Sequence, residues 1–345
     1  MLRLLELTYE NLLAAVSDRY GKGSFLAQTL YREFYKDLKP DAWRAEAIRN
    51  SQGLRDRLRQ DWCFEPGRVK DEIHEDGLIK FVTELVDGHR VESVILPLRT
   101  HQTVCISSQV GCRMGCRFCE TGKLGLARSL SVEEMVGQVY QARHEFGRSI
   151  RNVVFMGMGE PFDNFENVIQ AVRVMSDQRG LDIAQRRITL STAGRIDGIR
   201  KLAALNMPSL NLTVSLNAPN DQLRQRLMPL HDKGSLALLQ KTLMAYPLKK
   251  GKVLNVAYVL ISHVNDQGEH VQQLAEWLKP LRARVNLIPY NSIKDSLFQP
   301  PRQGDTDLFR EKLIELGVNV QKRIPRGREL MAACGQLGAH APYGG

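Results

Sequence analysis

The sequence predicts an α/β protein built on a parallel sheet, preceded by a small helical module. Three observations carry that expectation. Short strand-like runs rich in Val and Ile alternate with helix-length spans through the last two thirds of the chain. Glycines and small polar residues recur just after those strands, where the loops of a parallel barrel converge. A chain of 345 residues is long enough for one large domain of this kind plus a smaller one.

Residues 1–75 carry helix-period patterns at Tyr9 to Val16, Phe25 to Leu38 and Trp43 to Leu58, broken by Gly21, Gly23, Pro40 and Pro66. Arg44, Arg49, Arg55, Arg57, Arg59 and Arg68 form either a phosphate-facing surface or an ordinary solvated face. Cys63 has no sequence partner and reads as a buried apolar residue. Residues 76–100 change to period two, with Ile79, Phe81 and Val82 before Asp87-Gly88 and Val91, Val94 and Ile95 after it, the pattern of a hairpin turning at Asp-Gly. Glu92 on its second strand faces either solvent or a cavity.

Residues 101–345 read as the core. Strands are expected at Val104 to Ser107, Asn152 to Met156, Arg187 to Thr192, Leu210 to Leu216, Val253 to Leu260, Arg284 to Tyr290 and Asn319 to Arg323. Ser131 with Glu134 is a capping box that starts the first crossover helix, and Phe165 to Arg179 is a second helical span. Polar residues fall at strand ends: Gly157-Met158-Gly159-Glu160-Pro161, Ser191, Ser215-Leu216-Asn217 and Asn291. The carboxylate of Glu160, held between glycine and proline, suits an ammonium group. The serines and asparagines suit a ribose or a carboxylate, or simply cap the next helix.

Composition narrows the function. Hydrophobic residues at 43% and charged ones at 25% are globular values, and a net charge of +10 suits a protein that meets a polyanion, nucleic acid first. No apolar run reaches the length of a membrane span, and Glu6 comes too early for a signal peptide, so a cytoplasmic protein with no membrane partner is expected. In that reducing compartment six cysteines mean metal binding or thiol chemistry.

Three of the six sit at Cys112, Cys116 and Cys119, a C-x3-C-x2-C loop with Phe118 before the last. Structural zinc sites use paired C-x2-C and a fourth ligand, whereas a four-iron cluster held by three thiolates keeps one iron open for a small molecule. The zinc alternative would need a distant ligand such as His101. Outside the loop, Cys105 precedes it and Cys334 lies beside Gly335 near Arg323, Arg326 and Arg328, a charge setting that favours thiolate. Two spare thiols suggest redox chemistry between them.

Over nearly its whole length the chain resembles the RlmN/Cfr family of radical S-adenosylmethionine (SAM) RNA adenine methyltransferases. The resemblance rests on Cys105 to Cys112, the cysteine loop, Gly157 to Pro161, Thr189 to Thr192, Ala218-Pro219-Asn220-Asp221, Asn286 to Asn291 and Ala333 to Leu337. It implies a partial (β/α)6 TIM-like barrel in which Cys112, Cys116 and Cys119 hold a [4Fe-4S] cluster. Gly159, Glu160, Ser191, Ser215, Leu216, Asn217 and Asn291 would line the SAM site.

The resemblance also implies the chemistry. Cys334 takes a methyl group from one SAM; a second SAM, cleaved by an electron that a donor such as flavodoxin supplies, gives the radical that activates that S-methyl group. The carbon then adds to C2 or C8 of an adenine in 23S rRNA, with tRNA as a further substrate. Cys105 releases the product through a transient disulfide with Cys334, and Glu92 helps remove the adenine proton. This order answers a physical difficulty, because an adenine C–H carbon is too weak a nucleophile to take a methyl directly from SAM. The rival readings are a radical SAM enzyme acting on another RNA base or a small molecule, and a zinc-stabilised RNA-binding protein without catalysis. Glu120, Leu126 and Asn217 depart from the family's usual residues.

Overall fold

The structure, a computed structural model, describes residues 1–98, 100–229, 234–323, 327 and 330–338; Arg326 and Arg328 lie outside them. At the front, β1 (Leu2–Arg3) leads to α1 (Tyr9–Tyr20), α2 (Ser24–Tyr35) and α3 (Gln52–Asp61), and β2 (Trp62–Cys63) returns to pair in parallel with β1. The Thr8 side chain accepts from Asn11 N–H to start α1, and Gly21 ends it in the left-handed region at φ 59°. The expected helix from Trp43 to Leu58 is not continuous. Single turns at Ala42–Arg44 and Glu46–Ile48 precede α3, because Ala45 leaves the helical region at ψ 135°. Cys63 is buried, and burial pushes its thiol up to about 11, as expected of an inert core thiol.

Next come β3 (Arg68–Glu75), β4 (Leu78–Glu84) and β5 (Arg90–Pro97), an antiparallel meander. The β4–β5 hairpin turns at Asp87-Gly88, with Gly88 at φ 82°. The sequence reading placed residues 68–75 with the helices; they form the outer strand of this meander instead.

From β6 (Gln102–Cys105) the chain makes a small hairpin, β7 (Gln109–Cys112) and, after the one-turn α4 (Glu120–Lys123), β8 (Gly125–Ser129). The α/β alternation then runs α5 (Val132–His144), β9 (Ile150–Phe155), α6 (Phe165–Ser176), β10 (Ile188–Thr192), α7 (Ile196–Ala204) and β11 (Asn211–Ser215). It continues with α8 (Asp221–Leu227), α9 (Leu236–Met244), β12 (Leu254–Leu260), α10 (Gly268–Leu278), β13 (Ala283–Pro289), α11 (Gln303–Glu315) and β14 (Val320–Lys322). Both halves of the Ser131/Glu134 capping box form at the start of α5.

All but the two small hairpin strands and β1–β2 share one ten-stranded sheet, ordered β14-β13-β12-β11-β10-β9-β6-β5-β4-β3. β6 and β9 to β14 are mutually parallel, and the sheet stays open at β14 and β3, a partial barrel. Rows of fully buried β-branched residues explain the strands: Ile95, Val104, Val153 and Ile188 are direct cross-strand neighbours, as are Val214, Val256 and Val285. Each such side chain contributes about 1.5–3 kcal/mol by burial. A second, smaller apolar cluster, including Met114, Phe118, Ala193, Leu227, Ile261 and Tyr290, gathers beyond the C-terminal ends of the parallel strands. No described helix is long and apolar enough to cross a membrane.

Candidate active site

The cysteine loop springs from the β7–β8 hairpin into that second cluster. Cys112 ends β7 opposite Gly125, and Gly115 takes φ 63°. Gly122 is required for closure: a Cβ there would lie 2.8 Å from the Cys116 carbonyl oxygen. Arg117 N–H donates to Leu227 O at 2.9 Å, seating the loop on α8.

Burial pushes all three thiols up, Cys112 to about 12, and the charges of the neighbouring thiols and of Glu160 add to the effect on Cys116. Such thiols give up their protons to a metal and not to water. Among the described residues the only His, Cys, Asp and Glu side chains drawn within 4.8 Å of one another in a group of three are Cys63, Glu65 and Glu133, a trio already joined by Arg3. A structural zinc would need a fourth protein donor beside the three loop thiols. His101, the distant ligand of the zinc alternative, precedes β6 at the far end of the sheet and is engaged by Asn152 at 2.8 Å. The three-thiol donor set thus fits a cluster with one open iron.

The loop after β9 faces the cysteines. Gly157 N–H donates to Ile106 O at 3.0 Å, and a Cβ on Gly157 would lie 2.7 Å from that oxygen. Gly159 has φ 102°, with Gln109 Cβ only 2.6 Å from where a side chain would start. Glu160 is buried; its carboxylate accepts from Ala193 N–H at 2.7 Å and Phe162 N–H at 3.1 Å. Burial raises it to about 7 despite those two donors. Asp163 pairs with Arg113 of the cysteine loop and with Arg195 after β10, locking the two loops together.

Ser191 and Ser215 are half-buried near the ends of β10 and β11. Leu216 N–H donates to Ala257 O. Asn217 adopts φ 59°; its side-chain oxygen accepts from Val259 N–H at 2.9 Å, and its amide meets Met228 Sδ. Its side chain therefore braces the β11–β12 loops. Asn291, just past β13, donates to the Cys334 carbonyl at 3.1 Å.

That last bond shows where the tail goes. Residues 330–338 fold back across the mouth: Gly335 O accepts from Glu120 N–H at 2.7 Å, Thr121 Oγ1 donates to Leu337 O at 2.6 Å, and Gln336 Nε2 donates to Ser292 O at 2.8 Å. A side chain at Gly335 would crowd the Phe118 carbonyl. Cys334 is exposed at the surface; desolvation by the surrounding protein raises its thiol and the Arg323 charge opposes that rise. Cys105 is buried and raised chiefly by that burial, with a further push from the charge of Cys334, so the two spare thiols lie within electrostatic reach of each other. Glu92 is not a solvent-facing strand residue. It is wholly buried, 2.9 Å from Lys80 and bonded by Gly338 N–H.

Three residues escaped the sequence reading. Arg224 is a buried guanidinium held by Ala193 O at 2.5 Å and Leu216 O at 3.3 Å, within electrostatic reach of Cys116; the only hint was an arginine three residues past Ala218-Pro219-Asn220-Asp221. Lys80 looked like any charge on an alternating strand. Glu120, noted only as a departure, receives Lys294 N–H at 2.6 Å and so fastens the loop after β13 to the cysteine loop. Leu126, the other departure in that segment, lies exposed on β8.

The comparisons with known proteins agree with this geometry. The Radical SAM superfamily profile matches residues 106–278. A probable dual-specificity RNA methyltransferase RlmN 1 of Protochlamydia amoebophila is 39% identical over 342 residues, covering 97% of this chain and 93% of that one. The dual-specificity RNA methyltransferase RlmN of Pseudomonas putida (strain W619) is 42% identical over 281 residues, covering 79% and 73%. A crystal structure of a radical SAM methyltransferase from Sphaerobacter thermophilus superposes with a TM-score of 0.90 at 36% identity, covering 98% of this chain and 99% of that one. With its three-thiol loop and open parallel sheet, the chain belongs to the RlmN family of radical SAM enzymes and is a SAM-dependent RNA methyltransferase that carries a [4Fe-4S] cluster.

Proposed function

We propose that the protein methylates a ring carbon of adenine, C2 or C8, in 23S rRNA, with tRNA as a second substrate, and that Cys334 carries the methyl group. The observation that supports this most is the inward fold of the tail, which seats Cys334 against Asn291 while the next residue bonds the main chain beside Cys119.

Each residue then has a task. Cys112, Cys116 and Cys119 hold the cluster; Gly159, Glu160, Ser191, Ser215, Leu216, Asn217 and Asn291 line the SAM site, with Glu160 taking the ammonium group. Cys334, whose thiol burial raises while the Arg323 charge opposes that rise, loses its proton and attacks the methyl of a first SAM, becoming a thioether as S-adenosylhomocysteine leaves. When bound, the cluster and a second SAM supply the radical that removes one hydrogen atom from that S-methyl group. The carbon bonds to adenine, the adduct would return one electron to the bound cluster as the adenine proton passes to Glu92, and the Cys105 thiolate attacks Cys334 Sγ, so that the carbon–sulfur bond breaks as the disulfide forms and the released methylene takes up a proton to become the methyl group. Glu92 is engaged by Lys80 and Gly338 in the RNA-free chain, so accepting a proton requires the tail to shift as RNA enters.

The helices within residues 1–75 and the arginine-rich tail supply phosphate contacts beside the core of residues 101–345, and a flavodoxin-like donor supplies electrons in the cytoplasm. The test is mass analysis of nucleosides from RNA of cells with and without the gene, and with Cys334→Ala. Methyladenosine should vanish in the last two; its persistence in both overturns the reading.

A further inference from the structure

We infer that Lys80 is a positioning residue for Cys334, acting through a buried ion pair with Glu92 that latches both ends of the loop on which Cys334 sits. The inference rests on the methyl-carrier reading for its functional meaning, but the latch itself is a matter of packing.

Lys80 on β4 and Glu92 on β5 are 2.9 Å apart and almost wholly excluded from solvent. Each also bonds the tail. Lys80 Nζ donates to Met331 O at 3.0 Å, and Gly338 N–H donates to the Glu92 carboxylate at 2.9 Å. Those two points bracket Cys334 on either side, so the pair closes a loop with the thiol near its middle. The sheet register aims the latch at the resolving thiol. Lys80 lies opposite Val94, and Val94 opposite Cys105, so Lys80 and Cys105 share one face of the sheet, as does Glu92 two residues from Val94.

A buried ion pair with apolar neighbours is a poor source of net stability, because desolvation consumes most of its attraction. Placing it here gives position in return: two charge-assisted bonds to main chain that no apolar pair can make. Gly327, whose added Cβ would lie 2.8 Å from Leu78, shows the same segment pressed onto β4 just upstream. Loss of Lys80 takes one cation from the buried Glu92 carboxylate and one bond from Met331 O, and the least costly relief is for the tail to lift and admit water.

The test is hydrogen exchange of the cluster-loaded full chain, read at the amides of Ala333, Gln336 and Gly338, in the natural protein and in Lys80→Met, Lys80→Arg and the double variant Lys80→Met with Glu92→Leu. The double variant restores an apolar pair and keeps the chain folded should Lys80→Met alone fail to fold. Exchange at the three amides should quicken by about tenfold or more in Lys80→Met and in the double variant, with β9 to β13 unchanged and Lys80→Arg close to the natural protein. Unchanged tail exchange in the double variant overturns the latch, and so does an equal rise throughout the parallel strands. Methyl transfer from SAM to Cys334, measured on the same samples by peptide mass, separates the two readings. A natural protein whose Cys334 never gains a methyl sinks the carrier role, while the exchange result still decides the latch.

Discussion

Glu160 offers a quantitative check on the site. Its ordinary pKa of 4.5 is raised to about 7, first by burial, with Asp163 adding to the rise and the Ala193 and Phe162 amides opposing it. Below pH 4.5 folded and unfolded chains both carry the proton. Between 4.5 and about 7 the unfolded chain has released it and the folded chain has not, so stability falls as pH rises and the full cost is present above about 7. The gap between those values corresponds to about 3 kcal/mol.

The perturbation is Glu160→Gln in the metal-free protein, and the assay is urea unfolding at pH 5 and pH 8 for both chains. Glutamine cannot ionise, and its loss of one amide bond is the same at both pH values. The stability of the natural chain relative to the variant should therefore drop by about 3 kcal/mol between pH 5 and 8. A relative stability that stays flat to within about 0.5 kcal/mol refutes the claim that an ionised carboxylate is costly there. The functional corollary is that a cationic ligand group recovers this energy on binding.

Further predictions follow from the thiols and their surroundings. If Cys105 resolves the adduct as proposed, Cys105→Ala should leave RNA covalently attached to Cys334, migrating with the protein on a denaturing gel; free methylated RNA at the natural rate would exclude the disulfide step. Arg224→Met deletes a buried cation with no carboxylate within 4.0 Å among the described residues. Apo stability should change by no more than about 1 kcal/mol, as relieved desolvation offsets two lost hydrogen bonds, while the cluster's midpoint potential falls by tens of millivolts; an unchanged potential in a redox titration would show that the guanidinium does not act on the cluster. Glu120→Ala removes the acceptor of Lys294 N–H, which can turn to water at this exposed residue, so the cost is about 0.5–1.5 kcal/mol and proteolysis within the loop that follows β13 should speed up. RNA affinity should fall steeply between 50 and 200 mM salt, roughly a thousandfold if six phosphates are contacted; a flat response would assign the basic excess to ordinary surface charge.

The parallel strands and the cysteine loop were legible because their causes are local. Val and Ile rows mark buried strands, Asp87-Gly88 permits one turn, Ser131 and Glu134 cap one helix, and three thiols in eight residues admit few uses. β3 was missed because it is an edge strand: Arg68–Glu75 buries no residue and alternates charges in place of apolar groups. The break at Ala45 was missed because a period-3.6 pattern runs on through Trp43 to Leu58 while the backbone does not. Lys80, Glu120 and Arg224 owe their roles to partners 251, 174 and 31 positions away, and no window of sequence contains such pairs.

The central claim is that the tail thiol is the methyl carrier, and the most direct measurement is peptide mass analysis of cluster-loaded enzyme incubated with SAM and reductant, without RNA. One methyl group on Cys334, absent from Cys105 and from the three loop cysteines, is the expected result. Unmodified Cys334 in a preparation that goes on to methylate RNA would contradict the account.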